Sequence, residues 1–155
     1  MGKNAYILEF KDQSVSVSGF HPDLGTMPAV QVVNALVLFE CPTTTQQYLL
    51  QINNALYIPQ MQTSLIPPIM MRMAGLIVDE CPKSLSPNPT IANHSIYSPD
   101  IRCYFALQLF FHISYLPIRR PSTQEIQSDL PLVHLTSPSH TGTHMMKLFP
   151  IWNTV

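Results

Sequence analysis

Short stretches in which apolar and polar residues alternate, or in which β-branched residues run together, follow one another along this chain and are broken by Pro and Gly. Ala5 to Phe10 is apolar-rich, and Ser14 to Phe20 sets Val15 and Val17 between Ser14, Ser16 and Ser18, the period-two signature of a half-buried strand. Lys11-Asp12-Gln13 between them suits a hairpin turn. Turn chemistry at His21-Pro22-Asp23-Leu24-Gly25 leads into a long β-branched run from Ala29 to Glu40. Cys41-Pro42-Thr43-Thr44 breaks that run, and Gln47 to Ile58 follows as a strand placed for antiparallel pairing through a short loop.

The next element differs. From Ser64 to Gly75, Pro falls near the first helical position and Gly at the position just past the end, which predicts a short helix. Leu76-Ile77-Val78 returns to strand, Cys81 to Pro89 is a Pro-rich loop, and Ile91 to Tyr97 and Cys103 to Leu116 are two further β-type runs. Ser122-Thr123-Gln124-Glu125 has capping-box spacing and predicts a brief helix through Ser128, ended by Pro131. Past Thr136 the chain reads as irregular, with Phe149 and Trp152 its only aromatic anchors.

Composition sharpens this picture. Charged residues make up 11% of the 155 and hydrophobic ones 46%, so the surface must be neutral and rich in Ser, Thr, Asn and Gln, with solubility at risk. A net charge of -1 and eight scattered basic residues leave no electrostatic footprint for a phosphate backbone, which argues against nucleic acid as a partner. Fifteen prolines favour short elements over long helices. Cys41, Cys81 and Cys103 form no C-x-x-C pair, and Met1-Gly2-Lys3-Asn4 shows no apolar signal region; reduced thiols in the cytoplasm or nucleus are the expectation. Asn93-His94-Ser95 is then a chance glycosylation sequon. Ile101 to Ile118, the one apolar stretch near membrane length, contains Arg102, Gln108, His112 and Pro117, and a buried strand pair accounts for it better than a span.

Asn54-Ala55-Leu56-Tyr57-Ile58-Pro59, followed by Ser64-Leu65-Ile66 and then Met71 and Gly75, resembles the protease segment of copia-type retrotransposon polyproteins. The likeness extends through Gly2-Lys3-Asn4 and Val15 to Phe20 upstream, and through Val78 to Lys83 and Ser114 to Pro121 downstream. The resemblance implies a mostly β fold: a retropepsin-like small closed β-barrel with one short helix over residues 2–121, with 122–155 adding a short helix and an irregular tail. It also implies dimeric enzymes in which each subunit supplies one Asp from an Asp-Ser/Thr-Gly loop, two carboxyls about 3 Å apart sharing a proton. In the family that loop lies just before the segment matching Gly2-Lys3-Asn4, where this sequence has only Met1.

No residue is therefore assigned to catalysis, to a cofactor or to a metal. Asp23-Leu24-Gly25 lacks a hydroxyl residue and reads as a turn, while Asp79 and Glu80 read as solvated surface acids. His140 and His144 have i, i+4 spacing and His134 lies nearby, but Thr141-Gly142-Thr143 is a poor helix former and no H-E-x-x-H is present. Cys103 with His112 or His94 is the candidate nucleophile pair, weighed against a buried structural thiol. Five glycines outside any nucleotide-loop context bind no phosphate, and Met70, Met71 and Met73 read as core or dimer-surface filler. The expected function is that of a non-catalytic, retroelement-derived remnant of an aspartic protease domain. Its alternatives are a self-association or interaction module, with a homodimer or retroelement polyprotein as partner, and a protease deprived of its Asp only by a wrong start codon.

Overall fold

The computed structural model describes residues 1–138 of the chain, and it is mostly β. Its largest sheet is built on strand β2 (Thr26–Glu40), whose residues from Val32 to Phe39 are almost continuously buried. A strand covered on one face alternates; one covered on both faces reads as an unbroken β-branched run, as here. Ala35, Val37 and Phe39 point into the main core, while Leu36 and Leu38 join a smaller cluster on the opposite face with Leu49.

On one edge, β2 pairs antiparallel with β3 (Gln47–Leu56) from Glu40↔Gln47 to Val32↔Leu56. The other edge is divided. β1 (Tyr6–Ser18) occupies the first part of β2, and β9 (Ile118–Arg119) sits against Leu38 and Phe39. Beyond β3, β10 (Leu132–His134) adds in parallel from Leu132↔Leu49 to His134↔Gln51. The segment from residue 122 thus contributes a capped helix, a strand of the main sheet and, in Leu135, a fully buried side chain of the main core.

Two smaller sheets follow: β4 (Ile77–Asp79), β5 (Ser95–Ser98) and β6 (Cys103–Ala106) form an antiparallel trio, and β7 (Gln108–Phe110) pairs with β8 (Ile113–Tyr115). The trio packs on the main sheet through Val78, Ile96 and Phe105. Phe105 meets Phe39 and Tyr48 edge-on, at centroid distances of 5.2 and 5.4 Å. Edge-to-face contact aligns the positive rim of one ring with the negative face of the next, which gives the junction a defined geometry.

Helix α1 (Pro68–Met73) starts at a Pro and is followed by Ala74 as its cap and Gly75 with φ 90°, as the Pro and Gly positions predict. It places Met70 and Met71 in buried positions and leaves Met73 more exposed. Helix α2 (Thr123–Gln127) carries the full capping box: Ser122 Oγ accepts from Glu125 N–H, and the Glu125 carboxylate accepts from Ser122 N–H at 2.7 Å.

Four expectations change. Lys11-Asp12-Gln13 is no hairpin turn: β1 runs through it, with the three residues bulging opposite Val32 between the pairs Phe10↔Val33 and Ser14↔Gln31. A bulge satisfies a polar triplet without reversing the chain, because β2 is long enough to pair on both sides of it. The run Ile91 to Tyr97 is strand only from Ser95, residues before it forming a turn that ends at His94 with φ 53°. Cys103 to Leu116 divides into β6, β7 and β8, and the β7–β8 pair is exposed rather than buried, with Leu109, Phe110, Phe111 and Ile113 all open to solvent. Finally, among the described residues the three sheets are open: each strand path has two ends, and none closes into a barrel.

Candidate functional site

Acid pairs are the chemistry that the sequence puts in question, so the carboxylates come first. Asp23 lies in a 3-10 turn (Pro22–Leu24) between β1 and β2, its carboxylate 3.4 Å from His21 Nδ1 with both side chains largely exposed. Gly25 closes that turn at φ 70°. Asp79 ends β4 and accepts from Cys81 N–H at 2.9 Å and from Asn93 Nδ2 at 3.4 Å, while Glu80 pairs with Arg72 at 3.1 Å. Glu9 accepts from Asn34 Nδ2 and Glu40 from Gln47 Nε2, each at 3.0 Å. Glu125 takes a two-pronged contact from Arg119, one arm at 2.9 Å, and this guanidinium together with Ser122 N–H holds its carboxyl down at about 2. Apart from Asp23, whose neighbour His21 Nδ1 accepts from the Asp23 N–H, each of these acids is bound by a cation or an N–H group. At Glu125 such partners favour the ionised form, the opposite of the shared proton that a carboxyl dyad needs.

Histidines separate in the same way. His94 is buried and its Nε2 lies 2.8 Å from Ser114 Oγ, so it ties the start of β5 to β8. His112 sits in the exposed turn between β7 and β8, and Cys103 meets neither imidazole in a hydrogen bond, its thiol donating instead to Tyr104 C=O at 3.7 Å. His134 Nδ1 is 3.1 Å from Asn53 Nδ2; His140 and His144 lie outside the described residues. Among the described residues, no three His, Cys, Asp or Glu side chains are grouped to hold a metal ion. At the sequon, Asn93 Oδ1 accepts from Thr90 N–H at 2.8 Å and Ser95 is buried, so the folded chain engages both residues internally. No helix among the described residues is long and apolar enough to cross a membrane.

One cluster escaped the sequence. Tyr48, opposite Phe39 on β3, contacts the thiol of Cys103 from β6, and this hydrogen bond, with burial and the nearby charges of Cys103 and Cys41, pushes the phenol up to about 12. Cys41, just past β2, has its Sγ 3.2 Å from Thr43 Oγ1. Hydrogen bonds from the Thr43 and Thr44 hydroxyls bring that thiol down to about 7. Spacings of 7 and 55 residues carry no periodic signal; only the packing of two sheets brings these side chains together.

Two surfaces complete the inventory. β1 is the end strand of the main sheet, and among the described residues its outer edge has no neighbour. The β7–β8 hairpin leaves Leu109, Phe110, Phe111 and Ile113 exposed, with Phe110 and Phe111 ring centroids 4.7 Å apart. Comparisons with protein-family models, with curated proteins and with solved structures find no match to this chain.

Proposed function

We propose that these residues derive from the retropepsin-like protease segment of a copia-type retroelement polyprotein and form a β-scaffold that does not itself cleave peptides. Support for the origin is the order of the resembling residues in the fold: Asn54 to Pro59 leave β3, Ser64-Leu65-Ile66 lead to α1, Gly75 ends it, and Val78 lies in β4. The observation that carries the second half is the engagement of the carboxylates. Activating water against an amide requires two carboxyls within about 3 Å, one protonated, and Glu9, Glu40, Asp79, Glu80 and Glu125 are each bound instead to a cation or an N–H donor. Among the described residues β1 and β10 are the end strands of the main sheet, and a second copy of the chain is the partner that completes the family's small closed barrel there. Three free thiols fit the cytoplasm or nucleus as the compartment.

Purified protein is expected to leave a casein-like substrate intact in mildly acidic buffer, and pepstatin-sensitive turnover overturns this. Upstream nucleotides encoding an in-frame Asp-Ser-Gly or Asp-Ser-His-Ala-Asp run would instead make these residues the scaffold of a working protease.

A second reading is favoured by the unpaired β1 edge and the apolar β7–β8 surface: a self-association module, with a homodimer or an intact polyprotein as partner. Sedimentation velocity over a dilution series separates the two, a persistent dimer supporting association and a concentration-independent monomer excluding it.

A further inference from the structure

The end strand of the main sheet finishes in a segment that mirrors itself: Ser14-Val15-Ser16-Val17-Ser18 reads the same in both directions about Ser16. Val15 and Val17 are half-buried, Val15 lying opposite the buried Val30, while Ser14, Ser16 and Ser18 are exposed. Valines therefore line one face of the strand and serines the other. β2 pairs along one side of this segment, and among the described residues no strand pairs along the other, which leaves a row of backbone N–H and C=O groups open. Such edges are ordinarily blocked by a charge, a Pro or a bulge. Here Glu9, Lys11, Asp12 and the bulge at Lys11-Asp12-Gln13 all precede Ser14, and the five residues that follow carry no charge and no Pro. The irregularity between Val15 and Val17 puts its extra residue on β2, where Ala29 takes a φ of 55°, so the outer side of β1 stays regular.

We propose that this edge pairs antiparallel with the same edge of a second copy, about a two-fold axis at Ser16, joining two main sheets into one. A closed two-fold dimer needs a self-complementary surface, in which residue i meets j and j meets i. Pairing about Ser16 sets Ser16 against Ser16, Val15 against Val17 and Ser14 against Ser18, so like meets like on both faces of the joined sheet. A slip of one residue would oppose every Ser to a Val and carry the valines onto the serine face. An unrelated strand could use the open backbone groups but would lack this match. Net charge of -1 puts little repulsion between copies. Five residues from each copy make an interface well below the roughly 800 Å² per partner of a standard complex, so the dimer is weak and reversible. This inference rests on the self-association reading and gives it a surface and a register.

The test is sedimentation velocity of the full chain over a dilution series, with Ser16 as the probe because its side chain is exposed. Ser16→Lys places two like charges opposite each other and should raise the dimer dissociation constant about fivefold or more; Ser16→Asp should do the same, and Ser16→Thr should not. An equal mixture of the Lys and Asp variants should regain the dimer, since opposite charges then face each other across the axis. Unchanged urea midpoints in the variants show that the monomer is intact. Where a charged variant fails to fold, Ser16→Cys takes its place. Mild oxidation should then link the two substituted positions, as mapped by peptide mass spectrometry, because directly opposed residues of an antiparallel pair lie within disulfide reach. A dimer that Ser16→Lys leaves intact, a mixture that stays monomeric, or the absence of that link overturns the β1 register while leaving self-association through another surface standing. A natural chain that is monomeric at every concentration removes both.

Discussion

At Glu125 a single half-buried side chain performs three tasks: it pairs with Arg119, closes the α2 capping box and thereby joins β9 to the helix that follows. Its carboxyl titrates at about 2 against an ordinary 4.5, so folding is linked to pH at this residue. A depressed folded-state value means the contribution is complete above the ordinary value and is lost as pH falls toward about 2. Melting temperatures of the natural chain and of Glu125→Gln should therefore differ at neutral pH and converge near the acid end of that window. Thr136 has the opposite setting, deep in the core. Its hydroxyl accepts from Asn53 N–H at 2.7 Å and donates to Asn53 C=O at 2.9 Å, satisfying two buried backbone groups of β3 at once. Thr136→Val keeps the volume and removes both bonds. The expected loss is about 1–3 kcal/mol, read as a lower urea midpoint with unchanged slope.

Elements differ in how far local sequence determines them. The ends of α1 were legible because their causes are local: Pro68 lacks an N–H that the first turn cannot use, and Gly75 adopts a φ of 90° that residues with a Cβ resist. A Cβ at Gly75 would meet no atom, so Gly75→Ala isolates the backbone cost, expected at about 1–2 kcal/mol in the denaturant midpoint. The uninterrupted apolar run of β2 was equally legible, since burial on both faces writes itself into consecutive positions. Bulge and turn, by contrast, use the same polar residues, and the choice at Lys11-Asp12-Gln13 was made by pairing with distant β2. The β7–β8 reversal went unseen for a related reason. Its turn uses Phe111 and His112 rather than Gly or Asn, and Phe111 takes a φ of 52° that its composition gives no cause to expect. Among candidate sites, the turn role of Asp23-Leu24-Gly25 needed only local chemistry, while the meeting of Cys41, Tyr48 and Cys103 needed two sheets to pack.

For the whole molecule, the surface sets behaviour. Only 17 of 155 residues carry a formal charge, eight basic and nine acidic, so little repulsion keeps copies apart. Against that neutral background Phe110 and Phe111 stand 64% and 78% exposed, on a hairpin that packs little of its own apolar surface. Association through this patch should be concentration-dependent, and the paired substitution Phe110→Ser with Phe111→Ser should shift light-scattering radii toward the monomer. An unchanged radius would move attention to the β1 edge.

β10 joins the main sheet as a parallel neighbour of β3, and just past it Thr136 hydrogen-bonds back to Asn53 across 83 positions. A ribosome makes roughly 5–20 residues each second, so that interval keeps the outer flank of β3 bare for several seconds during synthesis. Throughout that time the nascent chain displays a strand rich in Leu and Ile with open amide and carbonyl groups, the kind of surface that chaperones bind and that stalled chains share with one another. Translation speed between residues 57 and 134 thus decides how long this protein spends as its most adhesive self.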